Sequence, residues 1–136
     1  RAAVAEAGLA DERLVTTTTA PSSVPLGREL FRQALAAVPS LDAIVCNNDD
    51  LALGVLFECN RAGIDVPGRI GLAGFNDLEM SEVAFPSITS VHTPRYEIGL
   101  RAVEMARAAI AGRRPAQTVV DLGFTLRIRE STRRPA

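Results

Sequence analysis

Apolar and polar positions along the chain alternate between a period typical of strands and a period typical of helices. Short β-branched runs predict strands at 13–18, 41–46, 70–75, 87–92, 118–121 and 124–128. Helical spacing between these runs predicts a short first helix ended by Gly8 and longer helices at 26–38, 50–62 and 94–110. Residues 129–136 carry no such pattern, and we expect them to form a surface tail.

This order of elements predicts an α/β fold, with a parallel, doubly wound sheet and helices on both faces. The chain has 136 residues, of which 47% are hydrophobic, so it can bury the core of one domain. Its longest apolar stretches are shorter than the roughly 20 residues that a membrane span needs. We see no targeting signal in the first residues, and we expect a soluble domain with no membrane partner.

Helix 50–62 is unusual because residues 51–57, LALGVLF, are apolar or Gly around nearly two full turns. A helix that is apolar on all sides is buried on all sides. The sheet covers one side of it. We therefore expect the other side to face a second lobe or a second subunit, unless the helix lies at the centre of a larger domain.

Charge and cysteine content narrow the possible partners. Fifteen basic and sixteen acidic residues give a net charge of −1, so the chain lacks the basic excess typical of nucleic-acid-binding surfaces. Cys46 and Cys59 are too few and too far apart for a disulfide framework or a four-ligand zinc site. Each lies in an apolar segment, so we expect reduced, buried thiols, which suits the cytoplasm.

Polar residues follow each of the first four predicted strands. Ligands of open parallel sheets bind outside the carboxyl ends of the strands. The residues at these ends are hydroxyls, amides and carboxylates, which hydrogen-bond polyols. They are Thr16 to Thr19, Asn47 to Asp50, Asn76 with Asp77, and His92 and Thr93 with Arg95. We therefore expect a small-molecule site at one edge of the sheet.

Each polar cluster also has a purely structural interpretation. Asn48 or Asp49 could be a helix N-cap worth about 1 kcal/mol. Residues 76–77 could form an Asx turn, and Thr93 could cap the helix at 94–110. His92 could equally be a hydrogen-bonded structural residue. What these interpretations do not predict is that all the clusters fall on the same edge of the sheet.

Several ordered blocks resemble the lactose/galactose-repressor (LacI/GalR) family of transcription regulators, and the overall pattern is similar to its gluconate-type repressors. The blocks are Asn48-Asp49 before Ala52-Leu53-Gly54, Gly63-Ile64 with Val66-Pro67, Gly74-Phe75-Asn76-Asp77, Thr93-Pro94 with Gly99, and Arg129-Glu130-Ser131-Thr132. The resemblance implies a type I periplasmic-binding-protein-like fold with an incomplete second lobe. It assigns 1–92 to the C-terminal lobe, 93–121 to a crossover and helix that belong with the N-terminal lobe, and 122–136 to a return strand and tail.

The same resemblance implies which residues bind the effector. By position, Asn48 and Asn76 contact effector hydroxyls. Many relatives have Asp at the second position, and Asn there removes the repulsion that a carboxylate would exert on an anion. The crossover segment offers Thr93 and Arg95, whose guanidinium can bind a carboxylate through two hydrogen bonds, although Arg95 could also simply face solvent.

The loop at 20–25 completes the expected site. Several relatives place an aromatic ring there against a sugar face, and Ser22 and Ser23 are closest to that position in this chain. These features together favour a small polar effector, either a sugar or a sugar acid. Neither a cofactor nor a metal is expected.

The resemblance further implies a cytoplasmic, symmetric homodimer that acts by allostery rather than as an enzyme. The effector would change the affinity for operator DNA, which only an N-terminal headpiece outside these residues would contact. The expected dimer interface consists of Leu53, Leu56, Phe57, Asn60, Leu78, Met80 and Phe85, within helix 50–62 and the segment 78–85.

Two other functional classes remain open. A periplasmic-type sugar-binding protein shares the lobe architecture, although we would expect a signal peptide in that case. A magnesium-dependent enzyme of doubly wound fold is the other alternative, with Asp49, Asp50 and Asp77 as ligands for phosphoryl chemistry. An edge rich in amides is a poor magnesium site, and the chain has no Lys to complete one.

Overall fold

The computed structural model describes residues 2–8, 14–113 and 117–133. Five helices lie in these ranges: α1 (Ala2–Glu6), α2 (Val24–Ala37), α3 (Asp49–Ala62), α4 (Glu79–Val83) and α5 (Arg95–Ile110). They alternate with four strands: β1 (Ala43–Val45), β2 (Gly71–Phe75), β3 (Thr89–His92) and β4 (Thr125–Arg127). A short 3-10 turn at Glu130–Thr132 follows β4.

The four strands form one sheet in the order β1-β2-β3-β4. The first three strands are parallel, with Val45 opposite Ala73 and Ala73 opposite Thr89. Strand β4 runs antiparallel to β3, with Leu126 opposite Val91. The carboxyl ends of β1, β2 and β3 therefore lie at one edge of the sheet, as the order of elements predicts.

Helix α3 begins and ends at the residues that its sequence indicates. Asn48 is the N-cap, and its Oδ1 accepts a hydrogen bond of 3.0 Å from the N–H of Leu51. Gly63 follows the last helical residue with a φ of 67°, a left-handed conformation that a side chain would disfavour.

Helices α2 and α3 cross at two glycines. A Cβ atom on Gly54 would lie 2.2 Å from the backbone oxygen of Val24, and one on Gly27 would lie 2.3 Å from that of Leu51. Neither helix could approach the other this closely with a larger residue at the crossing. This contact places α2 against the side of α3 that faces away from the sheet.

Helix α3 is buried because α2 and the sheet cover it from two sides. Leu53 and Leu56 are only 2% and 1% exposed in the single chain. Leu53 and Leu56 therefore need no second subunit to be buried, as the alternative of a central helix predicts, and their place in a dimer interface stays a prediction. The hydrophobic core consists of Phe31, Cys46, Leu51, Ala52, Leu53, Val55, Leu56, Cys59, Val66, Ile70, Leu72 and Ile88.

The two faces of the sheet differ in the described residues. Leu72 and Gly74 face α3 and are buried. The opposite face carries Val45 and Leu126, which are exposed. In the described part of the chain, helices thus cover one face of the sheet, whereas the pattern predicts a helical layer on both faces.

Two predicted strands are not formed. Residues 14–18 pair with no strand, and residue 13 lies outside the described part. Residues 118–121 are likewise not in a strand. β-propensity expresses how well a residue packs on a sheet, so an apolar β-branched run stays irregular where no neighbouring strand pairs with it.

Two predictions for the C-terminal third are also wrong. Thr93 makes no cap hydrogen bond to α5, which has Pro94 at its N-cap position. Residues 129–133 are not a surface tail, because the Ser131 hydroxyl is buried, donates to Leu72 O at 2.6 Å and accepts from the N–H of Thr89 at 2.8 Å. Residues 134–136 lie outside the described part.

Candidate functional site

The loops after β1 and β2 meet at the carboxyl edge of the sheet. Backbone hydrogen bonding between the parallel strands continues past the end of β1, where the N–H of Cys46 donates to Ala73 O at 2.8 Å. It also continues past β2, where the N–H of Asn76 donates to Val91 O at 3.0 Å. Asn48 and Asn76 are therefore at the ends of neighbouring strands, and both are partly exposed.

Asn48 has a structural role that limits what its side chain can offer a ligand. Its Oδ1 caps α3, so the N-cap interpretation is correct for this atom. Among the described residues the side chain makes this hydrogen bond through oxygen, which leaves the amide N–H groups for another acceptor. At this position the edge therefore presents a donor.

Asn76 and Asp77 turn the chain sharply after β2. Their φ values are 103° and 53°, a left-handed conformation that is unusual for residues with side chains. The turn folds Asp77 back over β3, where its N–H donates to the Ser90 hydroxyl at 3.1 Å. Asn76 is left at the tip, partly exposed, with an uncharged amide.

The Asp77 carboxylate is paired with Arg129 of the C-terminal segment and lies within hydrogen-bond distance of His92 on β3. Arg129 donates to Asp77 Oδ1 at 2.7 Å, and Nδ1 of His92 lies 3.0 Å from Oδ2. Burial alone would raise the pKa of Asp77, but the hydrogen bond and charge of Arg129, helped by His92, hold it below its ordinary value. Asp77 is therefore an ionised anchor for the C-terminal segment.

Asp49 is fully buried at the first turn of α3. Its Oδ1 accepts from the Ser90 hydroxyl and its Oδ2 from the N–H of Leu78, both at 2.7 Å. Both oxygens thus have donors, and Asp77 is engaged by Arg129 and His92. Two of the three carboxylates of the magnesium alternative, Asp49 and Asp77, are therefore already engaged, and the described residues contain no group of three or more His, Cys, Asp or Glu that could hold a metal.

The crossover residues follow β3 at the same edge, but within the described residues they form no hydrogen bond with the other predicted ligands. Thr93 is partly buried, and its backbone oxygen accepts from the N–H of Arg95 at 2.7 Å. Arg95 is exposed in the first turn of α5. The role of Arg95 as a carboxylate ligand stays a prediction.

Ser22 and Ser23 lie on the other side of β1. Ser22 lines a cavity of about 440 Å³, which is within the size range of small-molecule sites, between the segment 14–22, α2 and β1. Its wall also includes Thr16, Thr17 and Asn47, but not Asn48, Asn76, Thr93 or Arg95. Ser23 caps α2 by accepting from the N–H of Leu26. The structure therefore does not gather all six predicted ligands in one cavity.

The residues predicted for the dimer interface divide by burial. Leu53 and Leu56 belong to the core of the single chain. Phe57, Met80 and Phe85 are exposed apolar side chains, and Phe85 reaches 84% exposure. Asn60 is exposed and Leu78 is partly buried. The exposed members stay candidates for an interface.

Sequence reasoning missed three polar residues that shape the edge. It did not assign Ser90 and Arg129 any contact with the loop at 76–78, and it treated Asp49 as a cap or a metal ligand. Asp49 was visible as an acidic first-turn residue, but a buried carboxylate cannot be distinguished from an exposed one by its position after Asn48. Arg129 was visible as part of a family block without a role.

Both cysteines belong to the hydrophobic core. Cys46 and Cys59 are free and buried, as predicted, and burial, with the nearby charge of Asp49, raises the pKa of Cys46 to about 12. Among the described residues, every helix is too short or too polar to span a membrane.

Comparisons with known proteins agree on one fold. A family model described as a periplasmic binding protein-like domain matches residues 1–132. The HTH-type transcriptional regulator GntR of Pseudomonas aeruginosa is 47% identical over 132 residues, which are 97% of this chain and 38% of that protein. These matches confirm the predicted fold class.

Solved structures extend the comparison. The crystal structure of the transcription regulator GntR from Chromobacterium violaceum superposes with a TM-score of 0.89 at 42% identity, covering 97% of this chain and 49% of that one. The complex of the transcriptional regulator CelR with cellobiose gives a TM-score of 0.85 at 26% identity, covering 96% and 40%. The chain thus spans less than half the length of each of these three proteins.

Proposed function

We propose that this chain forms the effector-sensing part of a DNA-binding regulator. The chain belongs to the periplasmic binding protein-like domain family and, within it, to the LacI/GalR transcription regulators. The regulator acts as a repressor in the cytoplasm and responds to a sugar or a sugar acid of the gluconate type. It is not an enzyme, since the relatives at high identity are named as transcriptional regulators.

The single observation that carries this proposal is the chemistry of the edge after β1 and β2. The amides of Asn48 and Asn76 are partly exposed there, and Asn48 uses its oxygen for the helix cap. Of the nearby carboxylates, Asp49 is buried, Asp77 is paired with Arg129, and Asp50 is partly exposed. An edge that offers amide donors, and at which Asp49 and Asp77 are already engaged, suits an oxygen-rich, acidic ligand.

Arg95 and Thr93 supply the second half of the site in this proposal. Arg95 is exposed at the start of α5, where a guanidinium can reach a carboxylate that is held by the two amides. Ser22, which lines the neighbouring cavity, and Ser23 contact the far end of the ligand. Because CelR forms a complex with cellobiose, a neutral sugar is the natural comparison ligand.

The proposed regulator is a homodimer, and its interface uses the exposed apolar residues of α3, α4 and the loop after α4. Phe57, Met80 and Phe85 are exposed apolar side chains that this proposal places in the interface, with the exposed Asn60 and the partly buried Leu78. Effector binding closes the lobes, and the changed geometry shifts the affinity of an N-terminal headpiece for operator DNA. That headpiece is outside these 136 residues.

The effector is tested on the longer regulator with a thermal-shift panel of sugar acids and neutral hexoses. A ligand at 100 times its Kd stabilises the folded state by about 2.7 kcal/mol. We expect gluconate to stabilise the regulator more than glucose or cellobiose does. Stabilisation by neutral hexoses without any by gluconate would contradict the acidic effector.

Asn76→Asp is the sharpest variant for the same question. It restores the carboxylate that many relatives carry, so we expect gluconate to bind less tightly while a neutral hexose loses little or gains. Gln33→Glu makes the same change of charge on the exposed side of α2 and should leave both affinities unchanged. Arg95→Ala should weaken gluconate selectively, and an equal loss for glucose would contradict its carboxylate role.

A further inference from the structure

We propose that Asp49 is the positioning residue of the effector site, because its buried carboxylate holds the loop that carries Asn76. This inference rests on the proposed function, since it concerns the geometry of the same edge. Asp49 is fully buried and does not touch the effector itself. It acts through the backbone of residues 76–78.

The Asp49 carboxylate links the start of α3, just after β1, to the loop after β2 and to β3. Its Oδ2 accepts from the N–H of Leu78 at 2.7 Å, in the loop after β2. Its Oδ1 accepts from the hydroxyl of Ser90 on β3 at 2.7 Å. The same Ser90 oxygen accepts from the N–H of Asp77 at 3.1 Å. The Asp49 side chain therefore fixes the backbone N–H of Leu78 directly and that of Asp77 through the hydroxyl of Ser90.

These hydrogen bonds hold a loop that would not keep its conformation alone. Asn76 and Asp77 have φ values of 103° and 53°, which residues with side chains rarely adopt. Such conformations persist where the surrounding contacts over-determine them. Here the N–H groups of Asn76, Asp77 and Leu78 are all engaged, the first by Val91 O. The direction of the Asn76 amide therefore depends on the Asp49 carboxylate.

The space around Asp49 is shaped for a carboxylate. A Cβ atom on Gly74 would lie 2.1 Å from Asp49 Oδ1, so glycine on β2 leaves the room that the side chain fills. Asp49 is in the first turn of α3, where the positive end of the helix dipole stabilises a negative charge. Neutral donors and the helix end thus satisfy this charge.

Glu58 on the same helix provides a matched control. It is a second buried carboxylate of α3, only 3% exposed, and its partners are the guanidinium groups of Arg28, Arg32 and Arg61. None of these partners belongs to the loop at 76–78. Removing the charge of Glu58 therefore perturbs α3 without changing the contacts of that loop.

The test compares Asp49→Asn with Glu58→Gln in the longer regulator that carries this chain. An asparagine presents one acceptor and one donor where the carboxylate presents two acceptors, so the bonds to Leu78 and Ser90 cannot both remain as they are. We expect both variants to lower the Tm. Only Asp49→Asn should weaken gluconate binding, by about tenfold, which corresponds to ~1.4 kcal/mol. Only this variant should speed amide exchange at Asp77 and Leu78.

Ser90→Ala tests the same network from its other end. It should weaken gluconate binding and speed exchange at Asp77, and the double variant with Asp49→Asn should be less severe than the sum of the two losses. If Asp49→Asn does not fold, Ser90→Ala decides the question with the same two readouts.

A loss of Tm with unchanged gluconate affinity and unchanged exchange at residues 77 and 78 would overturn the positioning role. A different result concerns the proposed function alone. If the wild-type regulator binds no gluconate, the effector is wrong, whereas faster exchange at Asp77 and Leu78 in Asp49→Asn but not in Glu58→Gln still supports the role of Asp49.

Discussion

Helices α3 and α5 have similar lengths, 14 and 16 residues, but opposite environments. In α3, residues 51–56 are all buried, whereas none of the residues of α5 is buried. Both helices carry long apolar side chains, such as Leu56 on the first and Val103 on the second. The difference arises from their neighbours rather than from their own composition.

The comparison teaches how much of the molecule is self-sufficient. Helix α3 finds α2 on one side and the sheet on the other, both within these 136 residues. Helix α5 finds no such cover among the described residues, and Ile98 and Val103 remain exposed. This is what the assignment of residues 93–121 to the other lobe predicts, and that assignment stays a prediction.

The largest expected effect contrasts one core position with one position on α5. Leu56→Ala removes a fully buried side chain, and we expect a loss of about 2–5 kcal/mol in the free energy of unfolding. Val103→Ala in the 136-residue chain should change it by less than about 0.5 kcal/mol. Urea unfolding followed by circular dichroism measures both changes in the free energy of unfolding.

The longer regulator then sharpens this contrast. If the other lobe covers α5, Val103→Ala should cost about 0.5–1.5 kcal/mol more there than in the 136-residue chain, because the two methyl groups that it removes would then be at least partly buried. Equal, near-zero effects in both proteins would mean that α5 stays uncovered.

The second prediction concerns one glycine in each helix. Gly54→Ala places a methyl group on the backbone of α2, so the helices must separate, and we expect a loss of about 1–3 kcal/mol. On Gly99 a Cβ would meet open space, and Gly99→Ala should instead stabilise the 136-residue chain by up to about 1 kcal/mol through helix propensity. Shifts of the urea midpoint in opposite directions from that of wild type would support this difference between the helices, and two decreases of equal size would contradict it.

The third prediction is a pH dependence that α3 contributes through Glu58. Hydrogen bonds from Arg61 and Arg32 outweigh burial and hold the pKa of Glu58 well below its ordinary value of 4.5. A lowered pKa means that Glu58 stabilises the fold above pH 4.5 and that this contribution is lost as the pH falls below it. Glu58→Gln should therefore flatten the acid limb of the stability curve.

We expect this effect to be smaller than that of a core deletion at neutral pH, because the three guanidinium groups are about half exposed and regain water. The measurement is the unfolding free energy from pH 3 to pH 7 in small steps, on the order of half a unit, for wild type and variant. Parallel curves would show that Glu58 does not titrate with folding.

The sequence predicted those features that depend on local rules. The caps of α3 at Asn48 and Gly63 follow from residue types that favour these positions, and the parallel order of β1, β2 and β3 follows from alternation with helices. The meeting of the loops after β1 and β2 at one edge of the sheet follows from that parallel order. Each of these predictions needs only a few neighbouring residues or the order of elements.

The features that were missed depend on contacts between distant segments. Arg129 reaches Asp77 across 52 positions of the chain, and Ser131 reaches Leu72 across 59. No local pattern marks such a partner. The same reason explains the cover of α3, because helical spacing shows that all its sides are apolar but not that α2 meets it through Gly27.

The smallest expected effect concerns an ion pair on α5 that has the same spacing as a pair on α3. Arg101 donates to Glu104 at 3.1 Å, and both side chains are about half exposed. Exposed pairs of this kind contribute about 0.2–1 kcal/mol, and salt screens them. Glu104→Gln should therefore change the free energy of unfolding by less than about 0.5 kcal/mol in dilute buffer and by nothing measurable in 1 M NaCl.

The pair formed by Arg61 and Glu58 on α3 has the same spacing of three residues, but its carboxylate is buried and shared with two further arginines. Salt screens a buried charge much less than an exposed one, so the loss in Glu58→Gln should persist at high salt. If 1 M NaCl removed the effects of Glu58→Gln and Glu104→Gln equally, burial would not distinguish the two helices electrostatically. Their difference would then lie in apolar packing alone.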